Sequence, residues 1–212
     1  MLGYDMPKAG KSSLYLTFIA LILLFNKWII NTFIESPIIV ITSILLFVSY
    51  LLNFHQTRKF FVLIAIIIFI LLSYLQLKVS SIQNLYQLSP SDKDLYIKRM
   101  SYYPVKITRL AYWLEYKKET LVIYKFQENF FNVIDINQYF PNYFSMLLLP
   151  FTFYGIYRFI NLKNWFLFTF LFFTVLLLTL TGVNGRYGPV LIFPYVNLFS
   201  YIGISKIFKL ET

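Results

Sequence analysis

Six apolar runs dominate the pattern of hydrophobic and polar positions along the chain. They cover residues 14–34, 38–54, 60–77, 143–160, 165–183 and 190–208. Each run approaches the roughly 20 residues that a helix needs to cross a bilayer, and none alternates as a barrel strand would. The pattern therefore predicts an all-α, polytopic helical membrane protein with six transmembrane helices. A kink is expected at Pro150 in the fourth run, because proline removes one backbone hydrogen bond.

The runs divide the chain into five parts. We expect a cytoplasmic N-terminus, three transmembrane helices, an external helical loop, three further transmembrane helices and a cytoplasmic tail, which correspond to residues 1–13, 14–77, 78–142, 143–208 and 209–212. The loop carries six of the nine acidic residues of the chain. It is the long polar stretch between two hydrophobic blocks of three helices each.

Composition places the chain in the membrane class. Hydrophobic residues make up 58% and charged residues 13%, whereas about a quarter of a soluble domain is charged. The mean hydropathy is +0.65. The net charge of +10 is attributed to the cytoplasmic edge of the membrane, and no contiguous basic stripe indicates nucleic acid. The absence of cysteine and the single histidine exclude disulfides, thiolate metal sites and a histidine-only metal cluster.

Basic residues recur at every second connection and orient the predicted helices. One side holds four basic pairs: Lys8 and Lys11, Arg58 and Lys59, Arg158 and Lys163, and Lys206 and Lys209. The opposite short turns hold Glu35 and Arg186. By the positive-inside rule, both termini are then cytoplasmic and the loop 78–142 is outside. This predicts a multi-pass protein of the cytoplasmic (inner or plasma) membrane, with Arg186 on the outer face.

The loop has the periodicity of amphipathic helices. The sequence Ser-Pro-Ser-Asp from position 89 predicts a helix start, and that helix is expected to reach about Tyr102. Two further apolar faces follow at helical spacing, one of Ile107, Leu110, Ala111 and Leu114 and one of Ile123, Phe126, Phe130, Val133 and Ile134. These helices either lie flat on the outer leaflet or pack over the bundle as a cap.

A few charged residues are candidates for chemistry. Asp92 and Asp94 have the spacing to share a divalent cation with a substrate phosphate, or else Asp92 only caps its helix. Asp135 is a candidate acid or metal ligand at the membrane surface, or ordinary turn chemistry. Lys27 is a cation inside the first run, either functional or reaching to the interface. No metal site is predicted, and a divalent cation is the one cofactor considered.

The segment Asn-Gly-Arg-Tyr-Gly-Pro-Val-Leu-Ile-Phe-Pro, residues 184–194, resembles the entry to the last membrane helix of bacterial polyprenyl-phosphate-dependent glycosyltransferases of the GT-C class. The resemblance covers residues 184–208. It implies that Arg186, with Tyr187 beside it, contacts a lipid phosphate. The family carries its catalytic acid in a long first outer loop, whereas this chain has only Glu35-Ser36-Pro37 there, and the family has about twice as many helices. The chain is thus similar to a C-terminal half without the catalytic module, and a complete enzyme is not expected.

Three functions are consistent with these patterns. The first is an integral membrane protein of envelope glycan or lipid assembly that contacts a lipid-linked phosphate substrate or a partner enzyme. The second is a noncatalytic scaffolding subunit that associates with another membrane protein. The third is a small-molecule transporter, which would require broken helices or charges near the midplane. All three have membrane lipids as partners and none involves nucleic acid.

Overall fold

The computed structural model of the protein describes residues 19–20, 22–24, 26–55, 59–80, 90–161, 164–182 and 186–208. For residues 90–92, 96, 115–116 and 118 it describes the backbone alone. Throughout these ranges the chain forms helices and turns, and no strand occurs in them. The prediction of an all-α fold is confirmed for this part of the chain. The predicted N-terminal segment 1–13 and tail 209–212 lie outside the described residues.

Nine α-helices lie in the described ranges after residue 26. They are α1 Lys27–Glu35, α2 Pro37–His55, α3 Lys59–Val79, α4 Pro90–Ser101, α5 Thr108–Ala111, α6 Lys118–Ile134, α7 Leu149–Asn161, α8 Trp165–Thr181 and α9 Phe193–Ile207. Short 3-10 turns cover Val105–Ile107, Ile136–Gln138 and Met146–Leu148, and a π-helical turn covers Tyr112–Tyr116.

Two helices, α2 and α3, are long and apolar enough to cross a membrane, among the residues that the structure describes. Only 17% of the most apolar window of α3 is buried within the protein. The apolar helix α8 has 17 residues, α7 has 13 and α9 has 15. Length and composition thus support membrane crossing at two of the six predicted runs.

The first apolar run is interrupted at Asn26. Residues 22–24 are helical, but Asn26 is extended, with φ −117° and ψ 161°. Its side-chain amide donates to the carbonyl of Leu23 (3.2 Å), and its side-chain oxygen accepts from the N–H of Ile29 (2.9 Å). The prediction of one continuous helix over 14–34 is therefore wrong at this residue, because Asn26 satisfies the backbone on both sides of a break.

Both prolines of the last three runs stand at helix starts. Pro150 is the second residue of α7, and Pro194 is the second residue of α9. The predicted kink at Pro150 is wrong, because the first turn of a helix has no intrahelical use for the N–H that proline lacks. The residues before each proline form turns, so α7 and α9 are shorter than their apolar runs.

Helix α9 lies at the centre of the core. Twelve of its fifteen residues, all of them described, are buried, and it packs against α7 and α2. At the contact with α7, a Cβ on Gly155 would overlap the backbone of Phe199, and a Cβ on Gly203 would overlap the backbone of Phe151. Glycine is required at both positions because the two backbones touch.

These contacts also give the direction of α7. As residue numbers fall from 155 to 151 on α7, the contacted residues rise from 199 to 203 on α9, so the helices are antiparallel. Six alternating spans would make the fourth and sixth helices parallel. The parallel direction that the predicted three-plus-three arrangement requires is therefore not found between α7 and α9, and α7 is preceded by the 3-10 turn Met146–Leu148.

The loop helices are stacked outward from the bundle. Helix α6 packs on α8, the π-helical turn packs on α6, and α4 packs on that turn. The buried amide of Asn129 on α6 donates to the carbonyl of Thr179 on α8 (3.0 Å). The predicted helix start near residue 90 is confirmed, although Ser89 lies outside the described residues. Of the nine apolar residues predicted to form two faces, Ala111 and Val133 are buried and the others are exposed.

Candidate functional site

One face of α1 forms a wall of the candidate site. Trp28, Asn31, Thr32 and Glu35 follow one another at spacings of three, one and three residues. These intervals place their side chains on one side of a helix. That side faces the turn after residue 186, which leads into α9.

Trp28 attaches α1 to this turn. Its indole Nε1–H donates to the backbone carbonyl of Tyr187 (2.8 Å). Its ring lies against Phe193, the first residue of α9, with centroids 4.0 Å apart. The side chain is buried, and a buried indole ring with a satisfied N–H contributes both apolar contact and orientation.

Glu35 and Arg186 form an ion pair across the mouth of the site. The Nε–H of Arg186 donates to the Glu35 carboxylate (3.1 Å), and the guanidinium lies over the ring of Tyr187 at 5.4 Å. The two side chains are 49% and 71% exposed, so the pair contributes about 0.2–1 kcal/mol. The terminal amino groups of Arg186 form no hydrogen bond with the other described residues, which leaves them open to an anion.

A cavity of about 190 Å³ lies behind this ion pair. Its walls are the face of α1, the end of the long loop and the turn before α9, and its lining is Trp28, Asn31, Thr32, Glu35, Asn142, Tyr143, Arg186, Tyr187 and Gly188. Pockets that enclose a whole drug-sized ligand have about 300–1,000 Å³. This cavity is therefore of the size for a head group, and the rest of a larger ligand would remain outside.

Gly188 lines one side of the cavity and has a backbone conformation that favours glycine. Its φ is +68°, in the left-handed region that side chains with a Cβ disfavour. A Cβ there would lie 2.9 Å from the phenolic oxygen of Tyr143. The Tyr143 ring in turn contacts Phe193 at 5.2 Å between centroids. A larger residue at this position would strain the backbone and require Tyr143 to shift, so glycine leaves the space that Tyr143 occupies beside the cavity.

Tyr139 holds the loop segment that carries Asn142 and Tyr143. Its hydroxyl donates to the carbonyl of Val133 at the end of α6 (2.7 Å). Burial raises the pKa of Tyr139 above its ordinary value, and the charges of Asp135 and Tyr143 act in the same direction. The phenol therefore stays protonated and keeps this hydrogen bond.

Gln76 on α3 binds the turn between Arg186 and α9 from the side opposite to Trp28. Its side chain is fully buried on α3, and its Oε1 accepts from the backbone N–H of Val190 (3.0 Å). Its Nε2–H donates to the hydroxyl of Ser80 (3.2 Å). The turn between Arg186 and α9 is thus fixed to α3 by Gln76 and to α1 by Trp28.

The residues predicted as catalytic candidates stand elsewhere. Asp94 is exposed on α4, and the side chain of Asp92 lies outside the described residues. Asp135 accepts from the backbone N–H of Asn137 (3.0 Å). This contact is typical of a turn, which is the alternative to an acid or metal ligand at this position. Lys27 is exposed at the first position of α1. Of the named candidates, Arg186 and Tyr187 are the two that line the cavity.

Sequence reasoning missed the residues that surround Arg186. The charge pattern placed Glu35 and Arg186 on the same side of the membrane, and that was the one signal for their contact. Trp28, Asn31 and Thr32 lie within the first apolar run, where hydropathy does not indicate that they share a face toward Arg186. Tyr143 was placed inside a predicted helix.

The site has the chemistry to bind an anion of small size. Arg186 supplies a permanent cation with a planar fork of donors, and the amides and hydroxyls of Asn31, Asn142, Thr32 and Tyr143 supply further donors. Glu35 balances the cation when no anion is present. Within the described residues, no three His, Asp or Glu side chains come together as a metal site would need.

No family model, curated protein or solved structure matches this chain. The similarity of residues 184–208 to GT-C glycosyltransferases thus stays a resemblance, and Asn184 and Gly185 lie outside the described residues.

Proposed function

We propose that this protein is an integral membrane protein that binds the phosphate of a lipid-linked precursor in envelope glycan or lipid assembly. The observation that carries the proposal is Arg186 at the mouth of a polar cavity of head-group size. Guanidinium groups bind phosphate through charge-assisted hydrogen bonds, often with two at once. The resemblance of the Arg186 segment to polyprenyl-phosphate enzymes led to the same residue.

The membrane part of the proposal is supported by exposed apolar surface. On α2, Ile38, Ile41, Leu45 and Val48 are exposed and recur at helical spacing. Helix α3 is apolar and mostly unburied. Soluble proteins rarely expose apolar surface on this scale, whereas lipid chains cover it without cost. The proposed location of the protein is the inner or plasma membrane.

The apolar stripe on α2 also suits a lipid-linked ligand. Ile34, next to Glu35 at the end of α1, and Ile38 at the start of α2 are both exposed, and in this proposal an acyl or prenyl chain lies against them. A phosphate in the cavity and a chain along this stripe would use both surfaces. The small volume of the cavity supports a ligand that is held by one end.

Glu35 has a defined part in this proposal. Its carboxylate occupies the Nε–H of Arg186 and repels an incoming phosphate, so binding exchanges one anion for another. The exposed ion pair is worth about 0.2–1 kcal/mol. Loss of the Glu35 charge should therefore strengthen phosphate binding by a few-fold.

Binding of polyprenyl phosphate to the purified protein in nanodiscs tests the proposal, with the unphosphorylated polyprenol as the paired ligand. Arg186→Ala should weaken phosphate binding by roughly tenfold or more, because hydrogen bonds to charged groups contribute about 1.5–3 kcal/mol. Glu35→Gln should strengthen it. Arg158→Ala is the matched control, since Arg158 is an exposed cation on α7 outside the cavity.

Three results would refute the proposal. They are equal binding of the phosphate and the alcohol, equal loss in the two arginine variants, and no binding to the unmodified protein. If the last result came with a stable co-purifying membrane protein, a scaffolding role would replace phosphate binding.

A further inference from the structure

Residues 98–113 form a basic and aromatic strip that joins α4 to the π-helical turn of the loop. The strip contains four cations, Lys98, Arg99, Lys106 and Arg109, and no acidic residue. Its backbone runs from the end of α4 through α5 into the π-helical turn. The π-helical turn at its end packs on α6.

Apolar side chains of the strip are exposed together with its cations. Val105 is 91% exposed and Tyr102 is 74% exposed, and Leu110 and Trp113 are also exposed. Lys117 lies with its ammonium 5.1 Å from the Trp113 ring. Water-exposed aliphatic and aromatic groups interleaved with cations are the pattern of segments that lie in a membrane interface.

We infer that the strip docks on the surface of an anionic lipid bilayer. Each cation near an anionic surface raises the ratio of docked to undocked strip by about fivefold, which is equivalent to about 1 kcal/mol. The absence of any acid among residues 98–113 means that no charge in the strip opposes this attraction. We commit to a lipid surface because the exposed apolar side chains of the strip stand among cations of one sign, as in segments that lie in a membrane interface.

The docked strip would give the loop a second attachment. The first attachment is the buried contact of α6 with α8, where the Asn129 amide donates to the Thr179 carbonyl. The other is the lipid surface under Val105. The inference rests on the proposed insertion of the chain in a membrane but not on phosphate binding at Arg186.

Single-cysteine labelling tests the inference directly, because the chain contains no cysteine. The probe is an environment-sensitive fluorophore on Val105→Cys, in nanodiscs with or without phosphatidylglycerol and with nitroxide-labelled lipid as the quencher. Ile67→Cys on the exposed side of α3 reports insertion of the bundle. Glu128→Cys on the polar side of α6, where Glu128 pairs with Lys125, reports a position in water.

We expect quenching at position 105 in the anionic nanodiscs and much less in neutral ones. Quenching at 67 should occur in both, and at 128 in neither. Replacing Lys106 and Arg109 by glutamine should lower the ratio of docked to undocked strip by about 25-fold, since two contributions of about fivefold are lost. Salt at about 1 M should have a similar effect.

Water exposure of position 105 in both membranes, with position 67 quenched, would overturn the inference. Equal quenching in neutral and anionic membranes would overturn the assignment to anionic lipid. Failure at position 67 would instead contradict the membrane proposal, so the two failures are distinguishable.

Discussion

The buried amide of Gln76 is the most direct test of how the candidate site is held. Gln76→Met keeps the length and most of the volume of the side chain but removes the acceptor for the Val190 N–H. That N–H, which is buried, then keeps only its second acceptor, the carbonyl of Gly188 (2.9 Å). The turn that carries Arg186 should loosen at its attachment to α3.

The expected loss of stability follows from the burial of both groups. A buried donor left without an acceptor costs about 1–3 kcal/mol in soluble proteins. Hydrogen bonds between helices within membranes have averaged about 0.6 kcal/mol, with a maximum near 1.7. The Val190 N–H keeps the carbonyl of Gly188 as an acceptor, so the full penalty does not apply, and we expect a loss of about 1 kcal/mol.

Ser73→Ala is the matched control on the same helix. Ser73 is also buried on α3, one turn before Gln76, but its hydroxyl has no hydrogen-bond partner among the described residues. Its removal should leave stability unchanged or raise it. Both variants are compared by equilibrium unfolding in mixed detergent micelles, and amide hydrogen exchange is followed in a peptide that contains Val190.

Gln76→Met should be less stable than the parent and should exchange faster at Val190. The reasoning is refuted if Ser73→Ala costs as much as Gln76→Met. It is also refuted if the exchange of the Val190 peptide does not change.

Two further predictions concern the rest of the fold. Gly155→Ala should destabilise the protein by about 1–3 kcal/mol, because its Cβ overlaps the backbone of Phe199. The exposed Ile160→Ala on the same helix should have little effect in thermal unfolding, and equal losses would contradict the close contact. The pKa of Tyr139 is higher in the folded state than in the unfolded state. The stability linked to this difference is fully present below about pH 10, the ordinary tyrosine pKa, and is lost as pH rises toward the folded-state pKa. In pH-dependent unfolding, Tyr139→Phe should lose part of the alkaline destabilisation, and an unchanged pH profile would disprove this.

Apolar runs were a reliable guide to the existence of helices but not to their ends. Helices α2 and α3 match their runs closely, since polar residues in the sequence bound both runs. Helices α7 and α9 begin late, because the prolines at 150 and 194 start helices that hydropathy extends further back. The break at Asn26 depends on hydrogen bonds made by one side chain. Such hydrogen bonds cannot be predicted from composition.

The candidate site was predictable at one residue. Arg186 was marked by its charge, its position between two runs and the resemblance of its segment. Glu35 lies 151 residues away along the chain, and no local pattern encodes a contact over that distance. Tyr143 lines the cavity because Gly188 leaves space for it, which depends on backbone dihedral angles.

The glycine contacts between α7 and α9 also limit how the two helices move. A slide of one residue would replace Gly155 by Tyr154 or Ile156 opposite the backbone of Phe199, and either side chain would force the helices apart. Axial sliding is thereby prevented while the helices remain in contact. A rearrangement that moves the turn before α9 therefore requires α7 and α9 to tilt or rotate together as one rigid body.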